Sequence, residues 1–243
     1  MQENRDRFPT TRWSLVGAAV ASGTVHGSHE ALCTLCGMYW YPLYAFVRRQ
    51  GQSHEDAQDL TQGFFTRILE KAYLRDFRPE RAKFRTFLLT SLKHFMANER
   101  DWARAQKRGG ASTVIPLDLA FEVAERRYSE DPGHNLTPEK IFEQQWALAV
   151  MDRAQLRLKE ECVRTGKSRQ FDVLRPFVTV EDTSASYNQV AAELEMTEGS
   201  VKVAVHRLRR RLREILRNEI LQTVTNPQEV DGEIRFLFGA LRV

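Results

Sequence analysis

The stretch of sequence that decides the fold covers residues 186–218, SYNQVAAELEMTEGSVKVAVHRLRRRLREILRN. The apolar residues at its start have helical spacing, which predicts a first helix over residues 187–194. After a two-residue turn, Thr197 can cap a second helix, because its hydroxyl can accept a hydrogen bond from an otherwise unpaired backbone N–H. The second helix has one apolar stripe, which must face a core: Val201, Val205, Leu208, Leu212 and Ile215.

The opposite face of the second helix is polar and strongly basic. Between Lys202 and Arg217, seven Lys and Arg residues stand against a single acid, Glu214. A face kept only for solubility usually mixes signs, so the ordinary reading as a solvated charged face is disfavoured. Two helices, a tight turn and a basic front are typical of a helix-turn-helix, whose second helix enters the DNA major groove. The side chains expected on that front are Lys202, Val203, His206 and Arg210, with Arg207, Arg209 and Arg213 beside them.

The composition of the whole chain bounds the class of protein. The 243 residues carry a net charge of +4 and are 42% hydrophobic and 28% charged, which predicts a globular protein of one or two domains. The modest basicity permits a polyanionic partner. Cys33, Cys36 and Cys162 are too few for a disulfide framework, and no apolar run is long enough to span a membrane. We therefore expect a cytoplasmic protein.

Two helices expected in the N-terminal half carry distinctive charge patterns. A helix that begins at Ser53 has an exposed acidic and polar edge, which the helix dipole alone would explain. A longer helix over residues 84–108 interleaves aromatic and basic residues, a combination that suits unstacked bases and phosphates, although buried aromatics beside solvated cations are equally expected. The acidic edge is Glu55, Asp56, Asp59 and Gln62. The longer helix carries Lys93, Arg100, Arg104, Lys107 and Arg108 among Phe84, His94, Asn98 and Trp102.

No stretch of the chain shows sustained period-two alternation, so we expect an all-α protein. Residues 109–137 lack a sustained helical period and predict an irregular linker. The segment 223–243 predicts a final helix whose apolar stripe must be covered, either as plain packing or as a built-in regulator. That stripe consists of Val230, Ile234, Leu237, Phe238 and Leu241.

Together these segments resemble the bacterial sigma-70 family, and within it the extracytoplasmic-function (ECF) sigma factors, which keep only the sigma-2 and sigma-4 domains. YWYPLYAFVRR (39–49) is similar to the first sigma-2 helix pair, and HEDAQDLTQGFFTRILE (54–70) to the helix that docks on the polymerase clamp helices. KFRTFLLTSLKHFMANERDWARAQKR (83–108) resembles the helix that melts and reads the minus-ten element. YNQVAAELEMTEGSVKVAVHRLRRRL (187–212) resembles the reader of the minus-thirty-five element.

The resemblance implies a role for each matching residue. Contact with the clamp helices of the largest RNA polymerase subunit is implied for Glu55, Asp56, Asp59 and Gln62. Contact with the melted minus-ten strand is implied for Phe84, Arg85, Phe87, Asn98, Arg104, Lys107 and Arg108. Contact with upstream bases is implied for Lys202, Val203, His206 and Arg207, with Thr197 and Ser200 at the helix start. Arg210 and Arg211 are better placed for phosphates, which give affinity but little sequence choice.

We therefore expect a sigma-2-like domain over residues 8–108, a linker over 109–137, a sigma-4-like helix-turn-helix domain over 138–222 and a helical extension over 223–243. The expected function is that of a sigma factor, which is not an enzyme and needs no cofactor. Its partners would be core RNA polymerase and promoter DNA, with an anti-sigma factor or another regulator as a further candidate. The alternative is a stand-alone helix-turn-helix transcriptional regulator, which would need neither the acidic edge nor the aromatic-basic helix.

Two features depart from the family's pattern, and one constellation competes with it. The segment VRTGKSRQFDVLRPFVTVEDTSAS (163–186) is longer than in the compact family form, and the tail after Ile220 is an addition.

Near the N-terminus, soft ligands lie on one helix face and could bind zinc in an interaction module. Core packing of free cysteines is the favoured reading, so no metal is expected. The residues concerned are His26, His29, Cys33 and Cys36.

Overall fold

The computed structural model describes residues 26–69, 83–105, 121–130, 135–179, 186–224 and 226–242. All regular structure in these ranges is helical, which confirms the expected all-α fold. None of the described helices is both long and apolar enough to cross a membrane. The helices are α1 His26–Arg49, α2 His54–Leu69, α3 Phe84–Ala105, α4 Phe121–Glu130, α5 Pro138–Arg164, α6 Ser168–Thr179, α7 Tyr187–Glu193, α8 Glu198–Leu221 and, after a 3-10 turn at Pro227–Glu229, α9 Val230–Ala240.

The chain divides into two compact units. The first comprises Met1–Ala149 and Leu221–Val243, and the second comprises Val150–Ile220. The first part of α5 and helix α9 therefore belong with the N-terminal helices. The sequence pattern predicts one domain over residues 138–222 and a separate helical extension over 223–243.

Trp146 of α5 shows why the start of α5 belongs to the first unit. Its side chain is fully buried, and its indole N–H donates to the Tyr39 hydroxyl of α1 at 3.2 Å. Its ring centroid lies 6.0 Å from that of Phe236 in α9. Burial raises the pKa of Tyr39 well above its usual range, so the hydroxyl stays protonated. One large aromatic residue thus joins three helices that are far apart in sequence.

Helices α1, α2 and α3 pack their apolar faces together in the first unit. Helix α2 begins at the cap that the sequence predicted, since the Asp56 N–H donates to Ser53 Oγ at 3.0 Å. Phe64 and Phe65 of α2 are fully buried, and the Phe64 ring lies 5.9 Å from that of Phe95 in α3. These contacts bury one side of α2 and leave its opposite edge exposed.

A helix inside the expected linker departs from the sequence prediction. Residues Phe121–Glu130 form α4, although residues 109–137 show no sustained helical period. Glu125 accepts hydrogen bonds from Arg48 Nε at 3.0 Å, Arg48 Nη2 at 2.8 Å and the Tyr44 hydroxyl at 2.6 Å. Burial raises the pKa of Glu125, but these bonds outweigh it, so its pKa lies below the ordinary value. A tertiary ion pair, rather than an apolar stripe, therefore holds this helix on α1.

The second unit forms its core from α6, α7 and α8. All members of the stripe predicted on α8 are buried except Leu208, which is half-buried. Farther along α8, Glu219 is only 1% exposed, and its carboxylate lies 2.9 Å from Arg153 Nε and also pairs with Arg157. A buried carboxylate needs such compensation. The buried core cluster is Leu174, Phe177, Val190, Ala191, Val201 and Val205.

The C-terminal segment joins the first unit as the 3-10 turn and α9. Asn226 caps the turn by accepting a hydrogen bond from the Gln228 N–H at 3.0 Å. Leu237 is buried as predicted, but Phe238 is 43% exposed and Glu233 lies in the buried face instead. Glu233 lies three residues after Val230 and four before Leu237, so these three buried residues share one helix face. Phe238 is the sequence neighbour of Leu237 and therefore lies on a different face.

Candidate nucleic-acid and polymerase interfaces

Helices α7 and α8 are joined by the tight turn that the sequence predicted. Glu195 adopts a left-handed backbone conformation with φ of 53°, which is uncommon for a residue with a side chain. The Met196 N–H donates to the Ala191 carbonyl at 2.9 Å, which closes the end of α7. The chain therefore turns within residues 194–197, and α8 begins at Glu198.

Thr197 caps α8, as predicted. The Ser200 N–H donates to Thr197 Oγ1 at 3.2 Å, and the two hydroxyl oxygens lie 2.8 Å apart. Both residues are exposed. The first turn of α8 therefore presents two hydroxyls and backbone N–H groups at the positive end of the helix dipole.

The front of α8 exposes all four residues that the sequence predicted to face bases. Lys202, Val203, His206 and Arg207 are exposed, and Val203 is 50% exposed although it is apolar. Lys202 Nζ lies 2.5 Å from Glu198 Oε1, and this hydrogen bond raises the pKa of Lys202. Within the described ranges, the His206 and Arg207 side chains have no hydrogen-bond or ion-pair partner. They are therefore available to another molecule.

Arg210 and Arg211, the expected phosphate contacts, differ in what they touch. Arg211 donates through Nε and Nη2 to the two carboxylate oxygens of Glu161, both at 2.7 Å, and through Nη1 to Glu214 at 2.8 Å. These bonds raise the pKa of Arg211 and lower the pKa of Glu161. Arg210 is more exposed, and its Nε lies 3.8 Å from Glu214. Arg211 thus has two acidic partners within its own unit.

A groove of about 660 Å³ runs beside the front of α8. Helix α8 contributes Ser200, Val203 and Arg207, whereas Lys167 and Gln170 reach the groove from the start of α6. Lys167 and Gln170 were not predicted from the sequence, because they lie in the segment that is longer than in the compact family form. The sequence signal that could have indicated them is a cation, Lys167, and an amide, Gln170, at the start of a helix.

The acidic edge of α2 is exposed, as expected. Glu55, Asp56 and Asp59 are exposed, and Gln62 is half-buried. Asp56 also serves the helix cap, since its carboxylate accepts a hydrogen bond from Ser53 Oγ at 2.9 Å. Within the described part of the chain, Glu55 and Asp59 have no such partner. Glu55 and Asp59 can therefore pair with a basic surface without breaking a hydrogen bond of the helix cap.

The residues of α3 expected to meet DNA divide into buried and exposed groups. Phe84 and Arg85 are only 4% and 9% exposed, whereas Asn98 is exposed. Phe87 is half-buried, and its ring lies 6.3 Å from that of Phe84. The remaining predicted contacts lie outside what the structure describes: the Arg104 side chain, Lys107 and Arg108.

Arg85 lies at the centre of a contact among α3, α5 and α9. Its guanidinium and the Lys83 ammonium both pair with the carboxylate of Glu233, which is 2% exposed. The guanidinium carbon lies 3.9 Å from the ring centroid of Phe236 and 5.1 Å from that of Trp146. This cluster could not be predicted from the sequence, because Arg85 and Glu233 are 148 residues apart.

The candidate zinc ligands lie outside the part of the chain whose side chains are described: His26, His29, Cys33 and Cys36. Among the described residues, no group of three or more His, Cys, Asp or Glu side chains could hold a metal ion. Cys162 is buried in α5, and burial raises the pKa of its thiol. Its side chain therefore behaves as a small apolar residue.

Residues 39–108 match the family model described as sigma-70 region 2. The match extends from the second half of α1 through α2 and α3, so it includes both the acidic edge and the aromatic-basic helix. No curated protein and no solved structure gives a significant match. The match covers less than a third of the 243 residues, so it shows what this segment is similar to and leaves the role of the whole chain to be proposed.

Proposed function

We propose that the protein is an ECF-type sigma factor, which joins core RNA polymerase and directs promoter recognition, DNA melting and transcription initiation. The observation that carries this proposal is the order of two parts in one chain. A segment that matches sigma-70 region 2 is followed by α7, a two-residue turn and α8 with an exposed basic front. A stand-alone regulator would need only the second part.

Glu55 and Asp59 of α2 are the proposed docking residues for the polymerase clamp helices. Both carboxylates are exposed and have no partner in the described ranges, whereas Asp56 also holds the helix cap. Complementary charge across an interface speeds association and suppresses wrong partners. Gln62 lies half-buried on the same helix and completes the proposed edge.

The front of α8 is the proposed reader of the upstream promoter element. Arg207 and Lys202 can donate to a guanine edge, His206 can bond to a base or a phosphate, and exposed Val203 can contact a thymine methyl group. Phosphate contacts are proposed for the hydroxyls and N–H groups at the start of α8 and for the exposed Arg210. The hydroxyl groups are those of Thr197 and Ser200.

Helix α3 is the proposed contact for the melted minus-ten strand. Asn98 is exposed and Phe87 is half-buried, so both can meet unstacked bases. Further cationic contacts are proposed for Arg104, Lys107 and Arg108. Phe84 and Arg85 are proposed as contacts of the same strand, although both are buried beneath other helices.

The test is whether the full chain binds bacterial core RNA polymerase and starts transcription from linear promoter DNA. We expect Glu55→Arg and Asp59→Arg to weaken polymerase binding about tenfold or more, because like charges at an interface cost several kcal/mol. Glu122→Arg is the matched control, since it reverses an exposed first-turn acid of α4. A chain that binds DNA but ignores core polymerase would be a stand-alone regulator.

A further inference from the structure

The burial of Arg85 restricts how α3 can meet DNA. Its side chain is 10% exposed, is paired with a carboxylate and lies against the rings of Phe236 and Trp146. A guanidinium in that position cannot reach a phosphate while α9 stays in place. Either Arg85 takes no part in DNA binding, or α9 leaves before it does.

The side chains of α9 offer Arg85 the same chemistry as a nucleotide. The Glu233 carboxylate gives Arg85 and Lys83 an anion, as a phosphate would. The Phe236 ring lies 3.9 Å from the guanidinium carbon, as a stacked base would. One carboxylate does not balance two cations, and the N-terminus of the 22-residue α3 adds positive potential. The surface beneath α9 therefore suits a polyanion.

Several features of α9 favour its release from the rest of the first unit. It has 11 residues, and its N-cap makes no side-chain hydrogen bond. An isolated helix shorter than about 12 residues is marginal in water, so α9 depends on its tertiary contacts. A buried ion pair contributes little net stability, because desolvation offsets the attraction. The apolar face of Val230, Leu237 and Ala240 and the contact of Phe236 with Trp146 then keep α9 docked.

We propose that α9 is an intramolecular competitor of promoter DNA. It occupies a phosphate-and-base site formed by Lys83, Arg85 and Trp146, and single-stranded DNA takes this site only after α9 undocks. This inference rests on the proposed sigma-factor function, whose minus-ten contact it regulates. The apparent affinity for DNA is the intrinsic affinity reduced by the fraction of molecules in which α9 is undocked. Any change that weakens α9 docking then strengthens DNA binding.

Three variants of the full chain test the competition, each measured alone and bound to core polymerase. Glu233→Gln removes the anion, and Leu237→Ala removes apolar packing without touching the basic residues. Phe238→Ala is the control on the exposed face of the same helix. The probe is a single-stranded DNA oligonucleotide of mixed sequence. We expect the first two variants to bind it about tenfold more tightly, or about 1.4 kcal/mol, and the control to bind it unchanged.

Hydrogen–deuterium exchange of the α9 amides gives a second readout. We expect faster exchange over residues 230–240 when DNA is bound than in its absence. If Glu233→Gln and Leu237→Ala lower the melting temperature without strengthening DNA binding, α9 is a structural part of the unit and the proposal is overturned. Unchanged α9 protection in the DNA complex overturns it as well. If the unaltered chain does not bind core polymerase, the sigma-factor function fails, and the titration of the free chain still decides the competition.

Discussion

Alanine substitutions of Arg207 and Arg211 should have different consequences, although both lie on the basic side of α8. Arg207 lines the groove beside Ser200 and Val203 and has no partner in the described part of the chain. Its guanidinium is available for bidentate recognition of a guanine edge. Arg211 makes three hydrogen bonds to carboxylates of its own unit, which it must give up before it contacts DNA.

The expected magnitudes follow from these environments. Loss of a bidentate base contact costs about 1–3 kcal/mol of discrimination, which is roughly a 5- to 150-fold change in relative affinity. Arg211 is 44% exposed, and the side chains of Glu161 and Glu214 are 29% and 49% exposed. Solvent screens such pairs, so together they contribute about 1 kcal/mol at most. Arg211→Ala should therefore lower the melting temperature by about 2–4 °C.

The assay is selection of promoter DNA with a randomised upstream element by the variant bound to core polymerase. Arg207→Ala should relax base preference at one or two positions, and Arg211→Ala should leave base preference and overall affinity nearly unchanged. Arg213→Ala is the control, since it removes an exposed positive charge from the same helix. The reasoning is refuted if Arg211→Ala weakens binding to all sequences as strongly as Arg207→Ala weakens binding to the preferred one.

Three further changes test the architecture. Thr197→Ala should cost about 1 kcal/mol of stability by removing the cap of α8, while Thr197→Ser should retain it in thermal unfolding. Glu125, whose pKa is depressed, stabilises α4 fully above the ordinary value of 4.5 and progressively less as the pH falls towards the lower folded-state pKa. Arg48→Ala should reduce that acid dependence in hydrogen exchange of α4. Glu219→Ala should cost about 1–3 kcal/mol, because it removes the carboxylate partner of Arg153 and Arg157, and denaturant unfolding measures the loss.

Helices α7 and α8 could be predicted closely because their signals are local. The spacing of Val201 and Val205 defines the buried face, and Thr197 marks the start of α8 through a hydrogen bond within four residues. The cap of α2 at Ser53 is also a contact between near neighbours. Such patterns report the helix period and the unpaired N–H groups of the first turn, whatever the rest of the chain does.

The placement of α4 and α9 could not be predicted because it depends on pairs far apart in sequence. Glu125 meets Arg48 across 77 residues, and Glu233 meets Arg85 across 148. A charged residue in a predicted linker or tail is expected to be solvated unless its partner is known. The predicted apolar stripe of the last helix did not include Glu233, which the structure buries, and helical spacing alone does not indicate which cation it meets.

The basic residues proposed to contact DNA differ in the intramolecular contacts that each would lose on binding. Arg207 and His206 have no partner to lose within the described ranges, and Arg210 lies 3.8 Å from a largely exposed carboxylate, so contact with DNA costs these three little. Arg211 must leave two carboxylates. Arg85 must lose a buried carboxylate and a stacked ring, which requires movement of a whole helix. In the proposed function, the front of α8 is therefore accessible to the upstream element without rearrangement, whereas contact between Arg85 and the melted strand would require α9 to undock.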